Sequence, residues 1–158
     1  MKSRTYQDRD LLGVATLYTA SIHEIAAAYY TPVQITAWAP VPPDLERWRA
    51  RMAALYTIVA EVDGVLAGFA SYTLTGYLDL LFTQPDFARR GVATGLYLEV
   101  EAILRRGKIA HISTHASLAA RPFFDRAGFE CDAEELVECR GAHLRRFAMS
   151  KKLGERGG

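Results

Sequence analysis

A strand, a proline turn and a glycine-containing helix entrance follow one another in YLDLLFTQPDFARRGVATGLYLEVEAIL, residues 77–104. The predicted helix begins at Gly91, and its apolar stripe consists of Ala93, Leu96, Tyr97, Val100 and Leu104. The first N–H groups of a helix have no partner inside it and carry partial positive charge, and a glycine lets an anion approach them. Arg89 and Arg90 would add attraction. These residues alone leave two interpretations open, a tight turn with solvated arginines or a cradle for a diphosphate.

Composition limits the classes of protein that this chain can belong to. Its 158 residues suit one compact domain, and a net charge of +1 argues against a nucleic-acid-binding surface. We find no run of about eighteen consecutive apolar residues that would span a bilayer. Cys131 and Cys139 are the only cysteines, and no cysteines or histidines have metal-ligand spacing. We therefore expect a cytoplasmic protein without a metal, nucleic-acid or membrane partner, and a homodimer remains open.

The first third of the chain is predicted to be helical. Apolar residues recur at helical spacing from about Asp10 to Tyr30. Pro32 suits the first turn of a short helix in TPVQITAWA, and Asp44 is well placed to cap a third helix in PDLERWRARMAA. At Leu55 the sequence changes, and β-branched and aromatic residues become frequent.

From Leu55 onward, strands dominate the predicted order, which is β-β-β-α-β-α-β-β. Asp63-Gly64 and Arg140-Gly141 each mark a turn between two strands. Alternation within YLDLLFT places Tyr77, Asp79, Leu81 and Thr83 on one face of the third strand. A mixed sheet with helices on both faces is the economical packing for this order, and residues 77–116 should form a parallel crossover.

Two segments carry a family resemblance. LLFTQPDFARRGVATGLYLEVE resembles motif A of the GCN5-related N-acetyltransferase (GNAT) superfamily, and SLAARPFFDRAGF resembles its second signature. The positions that align with the first motif are Ala88, Gly91 and Ala93, and those that align with the second are Ser117, Ala120, Phe124 and Gly128-Phe129. Ala88, Ser117 and Phe124 differ from the residue types that the family has at those places. The resemblance implies a GNAT-like α/β fold with a mixed, mostly antiparallel sheet of six to seven strands. It further implies a single domain, 1–158, with a helical acceptor-side segment, 1–54, and a cofactor-binding core, 55–152.

The same resemblance implies acetyl-CoA as the acetyl donor. The backbone of Phe82 and Thr83 would pair with the pantetheine arm of the cofactor. The pyrophosphate would lie on the amides of the helix entrance, namely Arg89, Arg90, Gly91, Val92, Ala93 and Thr94. Ser117 replaces the family's asparagine and can still donate a hydrogen bond to the arm. Ala88 lacks the long side chain that the family often has there.

Two titratable residues are candidates for proton chemistry. Asp79 lies where related enzymes often carry a carboxylate that deprotonates the amine, although a buried aspartate paired with an arginine explains it equally well. Phe124 stands where many family members have a tyrosine that protonates the leaving thiolate. His115 is the first candidate to replace that acid. A merely hydrogen-bonded histidine, or the lack of any dedicated acid, remains open.

The aromatic residues of the first segment suggest where the acceptor binds. Tyr29, Tyr30 and Trp38 could line an acceptor pocket or could be aromatic core, and Trp48 fits the core better. The resemblance to a bacterial subgroup with unassigned acceptors names no substrate. We predict an N-acetyltransferase that transfers an acetyl group to a primary amine of a small molecule or peptide. A catalytically weak acyl-CoA-binding sensor or interaction module, motivated by Phe124, is the alternative.

Overall fold

Seven strands form one sheet in the computed structural model, which describes residues 1–154. The strands are β1 (Lys2–Thr5), β2 (Tyr56–Val62), β3 (Val65–Tyr72), β4 (Tyr77–Thr83), β5 (His111–Ser117), β6 (Glu130–Cys139) and β7 (Ala142–Lys152). Their order across the sheet is β1-β2-β3-β4-β5-β7-β6. All neighbours are antiparallel except β4 and β5, which run parallel. The mixed, mostly antiparallel sheet and the parallel crossover are as the sequence predicts.

Helices cover both faces of this sheet, which confirms the predicted layers. They are α1 (Leu11–Glu24), α2 (Pro32–Trp38), α3 (Leu45–Ala53), α4 (Val92–Arg106) and α5 (Arg121–Arg126). One apolar cluster joins α1, α2 and α3 to the face that carries Val59, Phe69 and Leu80. A second cluster joins α4 and α5 to the opposite face, where Leu78 and Ile112 lie.

Local sequence signals locate most of the turns and helix ends correctly. Thr31 caps α2 with Pro32 in its first turn, and the Asp44 carboxylate accepts from the Arg47 amide at the start of α3, at 3.2 Å. Asp63 and Gly64 both have positive φ and connect β2 to β3, as a two-residue hairpin turn requires. The first helix is shorter than expected, because the chain leaves the α-helix after Glu24 and makes a 3-10 turn.

The edge strand β1 is the element that the sequence does not predict. It is a four-residue segment, KSRT, that pairs with β2 from Lys2 opposite Glu61 to Thr5 opposite Ile58. Such a short polar stretch shows no apolar alternation. Its strand conformation depends on pairing with β2, which is distant in sequence.

The helical run Asp8–Ala28 is long and apolar enough, by length and composition alone, to cross a membrane. It passes this test although it is not a continuous apolar run, since Thr16, Ser21 and His23 interrupt it. Its side chains Val14 and Ile22 are buried in the core beneath the sheet. Core helices of water-soluble proteins have the same properties, so the run is weak support for a membrane protein.

Gly68 in β3 sets the distance between the sheet and α4. A Cβ atom at this position would lie 2.8 Å from Val92 Cγ1 and 2.9 Å from the carbonyl oxygen of Phe82. Both distances are shorter than side chains tolerate, and the second involves backbone. The absence of a side chain at Gly68 therefore lets the first turn of α4 approach the end of β4.

We expect Gly68→Val to destabilise the fold by about 1–3 kcal/mol, because the added atoms must displace α4 or β4. Thermal unfolding followed by circular dichroism measures this as a lower melting temperature. Gly107→Ala is the matched control, since its added Cβ would meet neighbours only at 3.5 Å or more. Equal melting temperatures for the two variants would contradict the assigned role of Gly68.

Candidate active site

β4 and β5 separate partway along their length. They pair only at Tyr77 with Ser113 and at Leu78 with Thr114, whose hydroxyl donates to the Leu78 carbonyl at 2.8 Å. Beyond this point β4 stays on β3 as far as Thr83, and β5 stays on β7 as far as Ser117. Within residues 1–154 no strand pairs with the β5-facing edge of β4 after Leu78, which leaves a wedge-shaped opening.

A bulge at Asp79 coincides with the start of this wedge. Leu78 lies opposite Tyr72 and Leu80 opposite Ser71, so Asp79 is an extra residue in β4. The bulge interrupts the alternation of side chains. Leu78 joins the cluster under α4, whereas Leu80, two residues later, joins the cluster under α1. The prediction that Asp79 and Leu81 share a face is therefore wrong.

The entrance of α4 presents unpaired backbone N–H groups. Gly91 precedes the helix with φ +82°, and the space where its Cβ would lie is open to 4 Å. Within residues 1–154, the backbone N–H groups from Arg89 to Thr94 donate no hydrogen bond. Because the helix dipole adds positive potential at this end, the entrance is suited to a phosphate group.

The side chains around the entrance divide into exposed and buried groups. Arg89 and Arg90 are exposed, and the Arg90 guanidinium lies 4.9 Å from the centre of the Phe87 ring. Val92 is buried against Gly68, so only its amide can meet a ligand. Gly95 does not widen the entrance, because the Met1 side chain packs against it.

A cavity of about 990 Å³ opens at the wedge, on the face covered by α1, α2 and α3. Of the predicted site residues, Asp79, Phe82, His115, Ser117, Tyr30 and Trp38 line it. Tyr29 is not part of the wall and is 52% exposed. Tyr29 follows the 3-10 turn after α1, and the structure does not bring it to the wall with Tyr30 and Trp38.

Asp79 is held by a guanidinium on α3. Arg51 donates from Nε to Oδ2 at 3.3 Å and from Nη2 to Oδ1 at 3.2 Å. The Arg51 guanidinium also lies 5.8 Å from the Trp48 ring centre. The expected arginine partner of a half-buried aspartate is thus present, and it fixes the orientation of a carboxylate that still faces the cavity.

His115 belongs to a chain of polar contacts across four strands. Its Nδ1 lies 2.7 Å from the Tyr77 hydroxyl, and its Nε2 lies 3.6 Å from Oε1 of Glu135. Arg146 donates from Nε to the same carboxylate oxygen at 2.9 Å. Tyr77 lines the cavity, and its place there was not predicted from the sequence.

Tyr30 and Trp38 line the cavity and also contact each other, and Tyr30 bonds to the backbone of neighbouring elements. The Tyr30 hydroxyl donates to the Arg145 carbonyl at 2.7 Å and accepts from the Leu118 amide at 2.9 Å. Its ring meets the Trp38 ring edge-on at 5.4 Å. Tyr30 therefore connects β7 to the turn before α5 beside the cavity.

Ser117 and Phe124 differ in their access to the site. The Ser117 hydroxyl accepts from the Ala120 amide at 3.1 Å and keeps its own proton available at the cavity wall. Phe124 is 4% exposed and packs edge-on against Phe123 and Phe129. Its ring is part of the core beneath α5 and supplies no donor to the site.

Several wall residues were missed or undervalued by sequence analysis. Tyr18, Arg47, Arg51, Tyr77, Arg145 and Arg146 line the cavity, as does Trp48, which was assigned to the core. Trp48 is half-buried and meets the Tyr18 ring edge-on at 4.7 Å, so it serves as both core and wall. Only the position of Tyr77, two residues before Asp79, was a usable signal. Residues 1–154 contain no group of three or more His, Cys, Asp or Glu that could hold a metal ion.

Comparison with known proteins identifies the family. The model of the acetyltransferase (GNAT) domain matches residues 26–153. The chain is 34% identical over 149 residues to YafP of Escherichia coli K12, named an uncharacterized N-acetyltransferase, and the match covers 94% of each protein. The chain therefore belongs to the GNAT acetyltransferase family. It is an N-acetyltransferase that uses acetyl-CoA. The sequence left two functions open, an N-acetyltransferase and a catalytically weak acyl-CoA-binding module, and the comparisons support the first.

Solved structures agree with this assignment. The crystal structure of a GCN5-related N-acetyltransferase from Rhodopseudomonas palustris, also named aminotransferase class-II, superposes with a TM-score of 0.92. The two proteins are 29% identical over 96% of this chain and 94% of the other. The PaiA N-acetyltransferase of Thermoplasma acidophilum, crystallised with coenzyme A, shares the fold with a TM-score of 0.74 at 20% identity, over 96% and 98% of the chains.

We expect Tyr30→Phe to destabilise the protein by about 1–3 kcal/mol, because it removes the donor to Arg145 and leaves the Leu118 amide without its acceptor. Urea unfolding monitored by fluorescence gives the free energy of unfolding. The adjacent Tyr29→Phe serves as the control, since Tyr29 is exposed. A change below about 0.5 kcal/mol in both variants would contradict the connecting role of Tyr30.

Proposed function

We propose that this enzyme acetylates a primary amine of a small molecule or peptide, and that the amine enters the cavity beside β4. The observation that carries the proposal is the convergence of three features on one strand. The free amides of the α4 entrance follow the end of β4, the open edge of β4 borders the wedge, and the cavity with Asp79 lies at the start of that edge.

The donor would bind along the wedge. An extended pantetheine arm can pair with the free edge of β4 near Phe82 and Thr83, in the way that a peptide adds to a sheet edge. The diphosphate would then reach the amides from Arg89 to Thr94, with the two arginine side chains nearby. The Ser117 hydroxyl, on the opposite side of the wedge, is available to hydrogen-bond the arm.

The acceptor would occupy the part of the cavity formed by the first third of the chain. Tyr18, Trp38 and Trp48 provide aromatic walls from α1, α2 and α3. These surfaces favour an acceptor with an apolar portion next to its amine. In this proposal residues 1–54 form the acceptor side and residues 55–152 bind the donor.

Asp79 is the proposed base. The reacting amine must lose a proton before or during attack on the thioester. Arg51 holds both carboxylate oxygens from one side, so a remaining lone pair can accept that proton directly or through a water molecule. The bulge places Asp79 on the cavity side at the start of the wedge, where the acetyl group would arrive.

Release of the coenzyme A thiol tests the activity itself. Acetyl-CoA is incubated with pools of amines that include amino acids, polyamines, aromatic amines and short peptides, and the thiol is detected colorimetrically. A rate above that of the protein-free control identifies an acceptor pool, which is then divided. Coenzyme A binding without turnover on any pool would count against the proposed acceptor class.

Gly91→Asp is expected to weaken coenzyme A binding at least tenfold, because its carboxylate would lie in the open space beside the free amides and repel the diphosphate. Gly91→Asn is the matched control, since it has nearly the same shape and the same backbone strain without the charge. Isothermal titration calorimetry with coenzyme A measures both dissociation constants. Equal binding by the two variants would exclude the α4 entrance as the diphosphate site.

Asp79→Asn is expected to lower kcat by about 10²-fold or more with the identified acceptor, because an amide cannot take the amine proton. Its dissociation constant for coenzyme A should stay within about threefold of the wild-type value, since the diphosphate site is at the other end of β4. A variant with wild-type kcat would show that Asp79 has only the structural role of pairing with Arg51.

A further inference from the structure

Tyr77 occupies a distinctive place at the start of the wedge. It is the first residue of β4 and one of the two β4 residues that pair with β5 before the strands separate. It lines the cavity two residues before Asp79. Its hydroxyl lies 2.7 Å from His115 Nδ1, and the two rings meet edge-on with centres 5.6 Å apart. The phenol is therefore held in one orientation at the cavity wall.

The contacts of His115 set the direction in which a proton can move. When both ring nitrogens of His115 carry protons, Nε2–H faces the Glu135 carboxylate at 3.6 Å and Nδ1–H donates to the Tyr77 oxygen. The Tyr77 hydroxyl proton is then free to point into the cavity. Arg146 fixes the position of the Glu135 carboxylate beside His115 through its own Nε contact at 2.9 Å.

Release of coenzyme A as a thiol requires a proton on its sulfur. Phe124 is buried and has no hydroxyl, and His115 already uses Nδ1 for Tyr77 and Nε2 for Glu135. A donor that touches the leaving group must therefore be a different residue. The Tyr77 hydroxyl is on the cavity wall and is connected to a titratable group that can restore its proton.

We propose that Tyr77 is the general acid that protonates the departing thiolate, and that His115 acts through it as a positioning and proton-supplying residue. This inference rests on the proposed function. As the C–N bond to the acetyl group forms and the C–S bond breaks, Tyr77 gives its hydroxyl proton to sulfur and receives the Nδ1 proton of His115. Asp79 takes the proton that the amine loses. This proton then passes through water to His115 and replaces the one that His115 gave to Tyr77. The sulfur thus gains one proton for the one that the amine loses, and the protein returns to its starting state.

The charges around Tyr77 are compatible with this role. Asp79 on β4, Glu135 on β6, Arg146 on β7 and Arg51 on α3 face the phenol in addition to His115. Burial, followed by the nearby Asp79 carboxylate, raises the pKa of Tyr77. The phenol therefore remains protonated between turnovers.

The test uses thiol release from acetyl-CoA with hydroxylamine as the amine, after subtraction of the protein-free rate. Tyr77→Phe keeps the ring and its packing against His115 but removes the hydroxyl. We expect kcat to fall about 100-fold with KM for acetyl-CoA within about threefold. The wild-type kcat should decline at alkaline pH as the acid loses its proton, and this alkaline decline should be missing in Tyr77→Phe. A purely structural role would leave the shape of the pH profile unchanged.

The matched control is Tyr56→Phe, because Tyr56 is 54% exposed on β2 and lies outside the cavity wall. It should keep the wild-type kcat and pH profile. His115→Gln provides a second measurement if Tyr77→Phe does not fold. Its kcat should fall at least tenfold, and added imidazole should restore part of the loss.

The outcomes separate this inference from the proposed function. Wild-type turnover that exceeds the Gly91→Asp rate, together with loss of kcat and of the alkaline decline in Tyr77→Phe, supports both. If the wild type turns over and Tyr77→Phe or His115→Gln keeps its kcat and pH profile, the proton transfer from His115 through Tyr77 is overturned. The proposed transferase function is then unaffected. A wild-type rate no higher than that of Gly91→Asp overturns the proposed function, and with it the proton transfer from His115 through Tyr77.

Discussion

The separation of β4 from β5 is the constraint on which the site depends. Two paired residues, Tyr77 and Leu78, hold the strands together at one end, and each strand then follows its other neighbour. Exposed backbone at a sheet edge is normally a liability in a folded protein. Here the free edge borders a cavity and ends near a helix entrance with free amides, so the unpaired groups of strand and helix line one continuous path.

Two local features position the ends of this path. The bulge at Asp79 turns an acidic side chain toward the cavity where the strands begin to separate. Gly68 lets α4 approach β4 closely, so the helix entrance lies next to the end of the strand. Polar contacts hold the reactive side chains near the bulge: Arg51 holds Asp79, and His115 joins Tyr77 to Glu135. Positions of reactive groups are therefore set by contacts from α3, β5 and β6.

The sequence predicts an element correctly where the residues that determine it are close together in the chain. The Gly91 entrance, the cap at Asp44 and the two-residue turn at Asp63 depend on residues close in sequence, and each is present as predicted. It failed where long-range pairing decides the structure. The bulge in β4 contains no glycine or proline to announce it, and β1 becomes a strand only on β2. The contact of Tyr77 with His115 joins residues 38 positions apart and has no sequence signature.

The paired arginines of the cavity have a consequence for acceptor recognition. Arg51, Arg145 and Arg146 line the wall, yet each already contacts a carboxylate, from Asp79, Glu134 and Glu135 respectively. Their positive charge is largely balanced by these carboxylates, while their remaining N–H groups keep fixed directions. At these three positions the wall discriminates by shape and hydrogen-bond geometry more than by long-range attraction. Their contribution to the capture of an acceptor should consequently depend little on ionic strength.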